Sequence, residues 1–175
     1  MELLPHEIYR PTSTRMLKEA NMLKKNDTAP AFNAVNQDDK PISLADFRNR
    51  KNVVLYFYPK DDTPGCTIEA KQFTDLAGEF AKYDTVVIGV SKDSCDSHRA
   101  FIKKYGLNVA LISDPDGRVC SSYGVWQEKE KDGVKKMGIV RSTFVVDKNG
   151  VLQEVLYGVT PDGHAQAMLV IVKKL

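Results

Sequence analysis

The stretch VVLYFYPKDDTPGCTIEA, residues 53–70, joins an apolar run to a cysteine through a short polar loop. The run consists of β-branched and aromatic residues and ends at Pro59, which predicts a buried strand. Thr63 suits the position before a helix and Pro64 suits its first residue, so a helix is expected directly after the loop. The stretch therefore predicts a strand–loop–helix unit with Cys66 in the first turn of the helix.

Two further apolar runs, TVVIGVS (residues 85–91) and VALIS (residues 109–113), predict a second and a third buried strand. Apolar residues recur at helical spacing between the first two strands, and again in residues 94–106 before the third. Strands that are apolar throughout are typical of a sheet covered on both faces. The order strand–helix–strand–helix–strand therefore predicts parallel strands flanked by helices.

The C-terminal part of the chain adds a different pattern. Asn149-Gly150 lies between two alternating runs in residues 139–158, a strong signal for an antiparallel hairpin. A helix is predicted at about residues 161–174, after Pro161 and Gly163. The whole pattern predicts an α/β fold with a mixed central β-sheet flanked by helices.

Composition and charge limit the function classes. The 175 residues, 42% of them hydrophobic, favour one domain of ordinary size or one such domain with an appendage. We interpret residues 1–27 as an N-terminal extension, with one short helix within residues 16–25, and residues 28–175 as the domain. Lys and Arg number 25 against 23 Asp and Glu, and this balance argues against a nucleic-acid-binding surface.

The sequence also bears on membranes and compartment. It has no run long and apolar enough to span a bilayer, and its N-terminus does not resemble a secretory signal. Three cysteines form an odd number, which does not suggest a secreted disulfide framework. We therefore expect a cytoplasmic protein that uses neither a membrane nor a nucleic acid.

Cys66 is the first candidate for chemistry. At the start of a helix, unpaired N–H groups and the helix dipole favour an anion, and the thiolate is the reactive form of cysteine. The position also follows the carboxyl end of a strand, where open α/β sheets bind their ligands. The alternative is a small buried residue that only fills the junction between strand and helix.

Arg141 is the second candidate, because it interrupts the apolar run IVRSTFVV (residues 139–146). A strand antiparallel to the first one would begin where the first one ends, which would place Arg141 near Cys66. There the guanidinium would stabilise a thiolate and offer donors to an oxygen-bearing substrate. The alternative is a structural ion pair with Glu69, and both roles are compatible.

These motifs resemble those of the peroxiredoxins. YPKDDTPGCTIEA (residues 58–70) contains the pattern Pro-x-x-x-Thr/Ser-x-x-Cys, and GIVRSTFVVDKNG (residues 138–150) is similar to the strand that carries the family's active-site arginine. KYGL (residues 104–107) and LISDPDG (residues 111–117) resemble the peroxiredoxin Q or bacterioferritin comigratory protein subfamily. The resemblance extends from about Ala29 to the C-terminus and implies a thioredoxin-like fold.

The resemblance implies a thiol peroxidase that reduces hydrogen peroxide and organic hydroperoxides to water and alcohols. The Cys66 thiolate would attack the peroxide bond and become a sulfenic acid, while Arg141 stabilises the charge, with Glu69 as its orienting partner. The Thr63 hydroxyl and the Cys66 N–H group would hold the peroxide or the sulfur, and Pro59 would shield the pocket. No metal or organic cofactor is needed, the reductant is thioredoxin or a similar dithiol, and the protein is expected to be a monomer or a weak dimer.

The sequence pattern does not by itself identify the cysteine that would pair with Cys66. Many members of the subfamily carry a resolving cysteine five residues after the first, but this sequence has Lys71 there. Some members use a cysteine in the next helix, which points to Cys95 as the partner of Cys66 in an intramolecular disulfide. Cys120 reads as a packing residue, and an external thiol is the remaining alternative.

Three competing interpretations depend on the same residues. Cys95 and His98 have metal-ligand spacing, but the sequence lacks a second such pair for a zinc site. A disulfide reductase normally carries Cys-x-x-Cys, which the sequence also lacks. A thiol-based redox sensor that signals through oxidation of Cys66 remains open as a function without catalysis.

Overall fold

Residues 22–175 are described by the structure, which is a computed structural model. Its strands are β1 (Asn33–Asn36), β2 (Pro41–Ser43), β3 (Asn52–Phe57), β4 (Thr85–Ser91), β5 (Ala110–Ser113), β6 (Trp126–Lys131), β7 (Val134–Ile139), β8 (Ser142–Val146) and β9 (Leu152–Tyr157). Its helices are α1 (Pro64–Asp75), α2 (Ala77–Lys82), α3 (Cys95–Tyr105), α4 (Arg118–Ser122) and α5 (His164–Val172).

Seven of these strands form one mixed sheet in the order β2-β1-β5-β4-β3-β8-β9. β3, β4 and β5 are parallel, while β8 runs antiparallel to β3 and β9 antiparallel to β8. The structure thus confirms the predicted α/β fold with its parallel strands and its C-terminal hairpin, whose turn contains Asn149-Gly150.

β3 lies in the middle of the sheet and is buried at all six positions. Val53, Leu55 and Phe57 pack into the apolar cluster on one face, and Val54 and Tyr56 pack into the cluster on the other. The second cluster contains side chains of α1, α2, α3 and α5, and the first contains side chains of α4. Burial on both faces explains why this strand is apolar throughout.

Two hairpins lie outside the sequence predictions. β1 and β2 pair antiparallel and extend the sheet beyond β5, and β6 and β7 form a separate two-stranded sheet. β1 and β2 are short, and the central residues of β6 and β7 are exposed and mostly charged. Neither hairpin carries the apolar pattern by which strands are recognised in a sequence.

The helical segment between β3 and β4 also differs from its prediction. The sequence suggested one run of helical spacing, but the chain turns at Leu76, between the end of α1 and the start of α2. The turn lets Phe73 of α1 and Phe80 of α2 both enter the same apolar cluster, with ring centroids 6.0 Å apart.

The predicted N-terminal extension is described only from residue 22 onward. Its predicted helix within residues 16–25 lies mostly outside the described residues, and residues 22–25 are not helical. The Leu23 N–H group donates to the Tyr157 hydroxyl, and the Asn26 N–H group donates to the Leu152 carbonyl. The described end of this segment therefore contacts β9.

No helix within residues 22–175 combines the length and apolar character that crossing a lipid bilayer requires.

The packing of the sheet predicts that Gly89 in β4 tolerates no larger side chain. A methyl group there would lie 2.7 Å from Cζ of Tyr56 and 2.8 Å from Cδ2 of Leu111, so these buried side chains would have to move. We expect Gly89→Ala to lower the free energy of unfolding in urea by about 1–3 kcal/mol.

The matched control is Gly78→Ala, since a methyl group at Gly78 meets nothing within 4 Å and the residue lies in a helix. This change should leave stability equal or raise it by up to about 1 kcal/mol. Wild-type stability of Gly89→Ala would contradict the packing described for β3, β4 and β5.

Candidate active site

Cys66 lies in the first turn of α1, a few residues beyond the carboxyl end of β3. Cys66 is 2% exposed and belongs to the apolar cluster that α1 forms with the sheet. Pro64 is the first residue of α1, as the sequence predicts. The thiol is therefore held where the unpaired N–H groups of a helix start converge.

Arg141 directly contacts this sulfur. Its Nη2 atom donates to Sγ of Cys66 at 3.3 Å, although the two residues are 75 positions apart in the chain. The predicted proximity is confirmed, but the prediction that Arg141 lies within a strand is wrong. Arg141 precedes β8, and its carbonyl accepts from the N–H groups of Gly158 and Val159, which satisfies its backbone in place of strand pairing.

Glu69 lies one helical turn after Cys66 and pairs with the same guanidinium. Its Oε1 atom accepts from Nη1 of Arg141 at 2.8 Å, and the carboxylate is fully buried. Burial raises the pKa of Glu69 to about 7, although Arg141 opposes this shift. One arginine thus bridges a sulfur and a carboxyl group that share one face of α1.

Gly65, for which the sequence predicted no role in the site, makes room for this contact. A methyl group on Gly65 would lie 3.2 Å from Nη2 of Arg141 and 3.3 Å from Cγ of Pro161, closer than most side-chain contacts. Glycine is unfavourable inside a helix, so its presence beside Cys66 in the first turn of α1 is the signal that could have revealed this close approach.

Thr63 and Pro59 lie at the outer side of the site. The prediction that Thr63 precedes the helix is confirmed, but its side chain does not cap the helix. Instead its hydroxyl donates to the Lys60 carbonyl at 2.8 Å. Thr63 is half-buried, and Pro59 is exposed on the loop that leads to α1.

Cys95 is the first residue of α3 and is not bonded to Cys66. Its thiol donates to the Asn36 carbonyl of β1 at 3.3 Å. Burial and a hydrogen bond to Asp39 raise the pKa of Cys95. The structure therefore shows both cysteines reduced, each with partners of its own.

Cys120 lies in α4 and is completely buried in the apolar cluster on the opposite face of the sheet from Cys66. Burial raises its pKa, and Asp114 adds to this effect. A neutral thiol in such surroundings is poorly nucleophilic.

One group of described residues has the spacing of metal ligands: Asp61, Asp93 and His98, with ligand atoms within 4.8 Å of one another. These atoms are already hydrogen-bonded to protein groups. Nδ1 of His98 lies 2.7 Å from Oδ2 of Asp61, and Oδ2 of Asp93 accepts from the Asp61 N–H group and from the Ser91 hydroxyl. His98 thus contacts Asp61, with Asp93 nearby, rather than forming the site with Cys95 that its spacing suggested.

Comparison with known proteins agrees with this geometry. Residues 26–155 match the AhpC/TSA family. The chain is 46% identical to a peroxiredoxin Bcp of Helicobacter pylori strain J99 over 147 residues, which cover 84% of this chain and 96% of the relative. It is 38% identical to peroxiredoxin Bcp of Escherichia coli K12 over 149 residues, which cover 85% of this chain and 95% of the relative.

Solved structures give the same result. The bacterioferritin comigratory protein of Xanthomonas campestris, studied for alkyl peroxide reduction, superposes with a TM-score of 0.77 at 36% identity and covers 82% of this chain and 90% of its own. A mutant of Xylella fastidiosa PrxQ superposes with a TM-score of 0.82 at 33% identity and covers 87% of this chain and 96% of its own. The fold is therefore the thioredoxin-like fold that the resemblance implied. The chain belongs to the AhpC/TSA family, within which it is a peroxiredoxin of the Bcp or peroxiredoxin Q group and hence a thiol peroxidase.

Proposed function

We propose that this peroxidase reduces hydrogen peroxide and organic hydroperoxides to water and alcohols through Cys66. The observation that carries the proposal is the contact of 3.3 Å between Arg141 and the Cys66 sulfur at the start of a helix. The cation and the helix N–H groups both favour the thiolate, which is the nucleophilic form.

In the first step the Cys66 sulfur attacks one oxygen of the peroxide. An S–O bond forms, the O–O bond breaks, and the second oxygen leaves and takes up a proton as water or an alcohol. Arg141 stabilises the negative charge that develops on this oxygen, because its guanidinium is already held beside the sulfur by Glu69. Cys66 is left as a sulfenic acid.

Thr63 and Pro59 would complete the peroxide site. The Thr63 hydroxyl donates a hydrogen bond to the Lys60 carbonyl, so its oxygen remains available to accept a hydrogen bond from a bound hydroperoxide. Pro59, exposed on the adjoining loop, would limit the access of water to the sulfur. The Cys66 N–H group would donate to the same bound oxygen. The alkyl peroxide reduction studied in the Xanthomonas campestris relative supports organic hydroperoxides as substrates.

In the second step the Cys95 thiol condenses with the Cys66 sulfenic acid, which forms an intramolecular disulfide and releases water. A disulfide requires Cα atoms within about 7 Å and a free thiol, so we propose that Cys95 leaves the Asn36 carbonyl and that the starts of α1 and α3 open locally. A dithiol such as thioredoxin then restores both thiols by exchange and becomes a disulfide itself.

We propose several further assignments alongside this cycle. Its chemistry needs no metal or organic cofactor, and its return step needs the reducing cytoplasm. We assign the activity to residues 28–175, with residues 1–27 as an extension, and expect a monomer or a weak dimer.

The decisive experiment is thiol mapping by mass spectrometry after one equivalent of hydrogen peroxide. We expect a Cys66–Cys95 bridge in the wild type, and a sulfenic or sulfinic Cys66 without that bridge in Cys95→Ser. Cys66→Ser should lose peroxidase activity with a thioredoxin system, and Cys120→Ser is the control that should retain both the bridge and the activity. A bridge to Cys120, or only intermolecular bridges, would disprove Cys95 as the resolving residue. Oxidation of Cys66 without turnover would favour a redox sensor.

The role of Arg141 is tested by its removal. Arg141→Gln removes a charged hydrogen bond to the sulfur, so the second-order rate constant for oxidation by hydrogen peroxide should fall roughly 10- to 100-fold. The measurement is stopped-flow oxidation of the reduced protein. Arg118→Gln is the matched control, because the Arg118 side chain is 87% exposed and should leave this rate unchanged. Equal rates in both variants would remove Arg141 from the mechanism.

The ionisation of Glu69 gives a pH-dependent prediction. Its ordinary pKa is 4.5 and its folded pKa is about 7, so between these values the folded state holds more protons than the unfolded chain. Stability contributed by the protonated form is therefore complete below about pH 4.5 and is lost as the pH rises through about 7. We expect the free energy of unfolding of the wild type, relative to Glu69→Gln, to fall by about 3 kcal/mol across this window. Parallel pH profiles from urea denaturation would contradict the buried position of Glu69.

A further inference from the structure

A buried hydrogen-bond network lies between the loop that leads to Cys66 and the helix that begins at Cys95. Its centre is the Asp61 carboxylate, which accepts from the Tyr58 hydroxyl at 2.6 Å, the Ser97 hydroxyl at 2.8 Å and Nδ1 of His98 at 2.7 Å. The side chains of His98 and Asp61 are 0% and 4% exposed. The catalytic steps proposed above use none of these four side chains.

The three donors come from two parts of the chain. Tyr58 precedes Asp61 in the same loop, so this hydrogen bond is internal to the loop. The Tyr58 hydroxyl also lies 3.4 Å from Nδ1 of His98, which is too long for a strong hydrogen bond. Ser97 and His98 lie in the first turn of α3, two and three residues after Cys95. These two contacts therefore join the start of α3 to a loop residue five positions before Cys66.

His98 strengthens this junction through both nitrogens of its ring. Its Nε2 atom lies 3.0 Å from the carbonyl oxygen of Ile112 in β5, and its Nδ1 atom contacts the Asp61 carboxylate. Both ring nitrogens of this buried imidazole therefore have a buried hydrogen-bonding partner. The loop, α3 and β5 are thus joined through one buried imidazole, whose loss would leave its buried partners unsatisfied.

We propose that Asp61, Ser97 and His98 form a latch that restrains the start of α3 and thereby limits how fast Cys95 reaches the oxidised Cys66. Unwinding the first turn of α3 moves both Ser97 and His98 away from Asp61, so the latch must break for the helix start to open. The restraint stands on the contacts alone, and its effect on disulfide formation rests on the resolving role proposed for Cys95.

The latch has a chemical consequence in that cycle. The Cys66 sulfenic acid either condenses with Cys95 or reacts with a second peroxide to give a sulfinic acid. A tighter latch delays condensation and exposes Cys66 to a second peroxide for longer. Asp61, Ser97 and His98 are therefore positioning residues that set the ratio of disulfide to sulfinic acid.

Two variants form a matched pair for the test. Ser97→Ala and Tyr58→Phe each remove one hydroxyl donor from Asp61, but only the Ser97 hydroxyl connects Asp61 to α3. A general loss of stability would affect both variants alike, whereas loss of the latch is confined to Ser97→Ala. His98→Asn is a stronger variant of the same kind.

The first measurement is hydrogen exchange of the α3 amides in the reduced protein. Loss of a hydrogen bond to a charged group should raise exchange in the first two turns of α3 about tenfold in Ser97→Ala and at least as much in His98→Asn, with wild-type exchange in Tyr58→Phe. Unchanged exchange in Ser97→Ala, or an equal increase in Tyr58→Phe, would overturn the latch whether or not Cys95 is the resolving residue.

The second measurement is the rate of Cys66–Cys95 disulfide formation, followed by rapid alkylation and mass spectrometry after peroxide addition. We expect a rate several times higher in Ser97→Ala, and a lower yield of sulfinic acid at excess peroxide, with Tyr58→Phe equal to the wild type. Faster exchange without faster disulfide formation would overturn the proposed effect on the cycle. A wild type that forms no such bridge would instead disprove the proposed resolving step and leave the exchange result to decide the latch.

Discussion

The contact between Arg141 and Cys66 depends on three separate features of the fold. The antiparallel pairing of β3 with β8 sets Ser142 opposite Phe57, so the residue before β8 comes to the carboxyl end of β3. The start of α1 brings Cys66 to the same end of the sheet. Gly65 then leaves room for the guanidinium, which a side chain would displace. A change in strand register or in the helix start would separate the two groups, even though each remained in the sequence.

Glu69 makes this contact an electrostatic compromise. The guanidinium is partly buried, and Glu69 supplies the partner that such a cation needs, while fixing its direction toward the sulfur. A fully ionised carboxylate beside the sulfur would also disfavour a second negative charge there. Burial reduces this cost, because it raises the pKa of Glu69 to about 7 and leaves the carboxyl partly protonated near neutral pH. Glu69 can therefore hold Arg141 in place while the raised pKa of its carboxyl group reduces the negative charge beside Sγ of Cys66.

Local patterns explain why part of this structure was predictable. The apolar strands, the Thr63–Pro64 helix start and the Asn149-Gly150 turn are features of neighbouring residues, and the sequence reports them directly. Arg141 was predictable because a charge inside an apolar run requires a partner. The latch was not predictable, because Asp61 and His98 lie 37 positions apart and each is a residue type common on loop and helix surfaces. Thr63 precedes the helix as its residue type predicts, but its side chain makes no capping hydrogen bond, and its hydroxyl donates to the Lys60 carbonyl instead.

The two candidate redox cysteines are distinguished by their surroundings rather than by their order in the chain. Cys66 is beside a cation and a helix start, both of which favour a thiolate, the form that would attack peroxide in the proposed cycle. Burial and a hydrogen bond to Asp39 raise the pKa of Cys95, so it remains a thiol, which donates to the Asn36 carbonyl. In the proposed cycle a protonated Cys95 does not compete with Cys66 for peroxide. It becomes useful only after release from its own partners, and the latch on α3 opposes that release. In the proposed cycle, burial and Asp39 keep Cys95 a thiol before peroxide arrives, and the separate contacts of Asp61 with Ser97 and His98 determine how long the sulfenic acid persists before condensation.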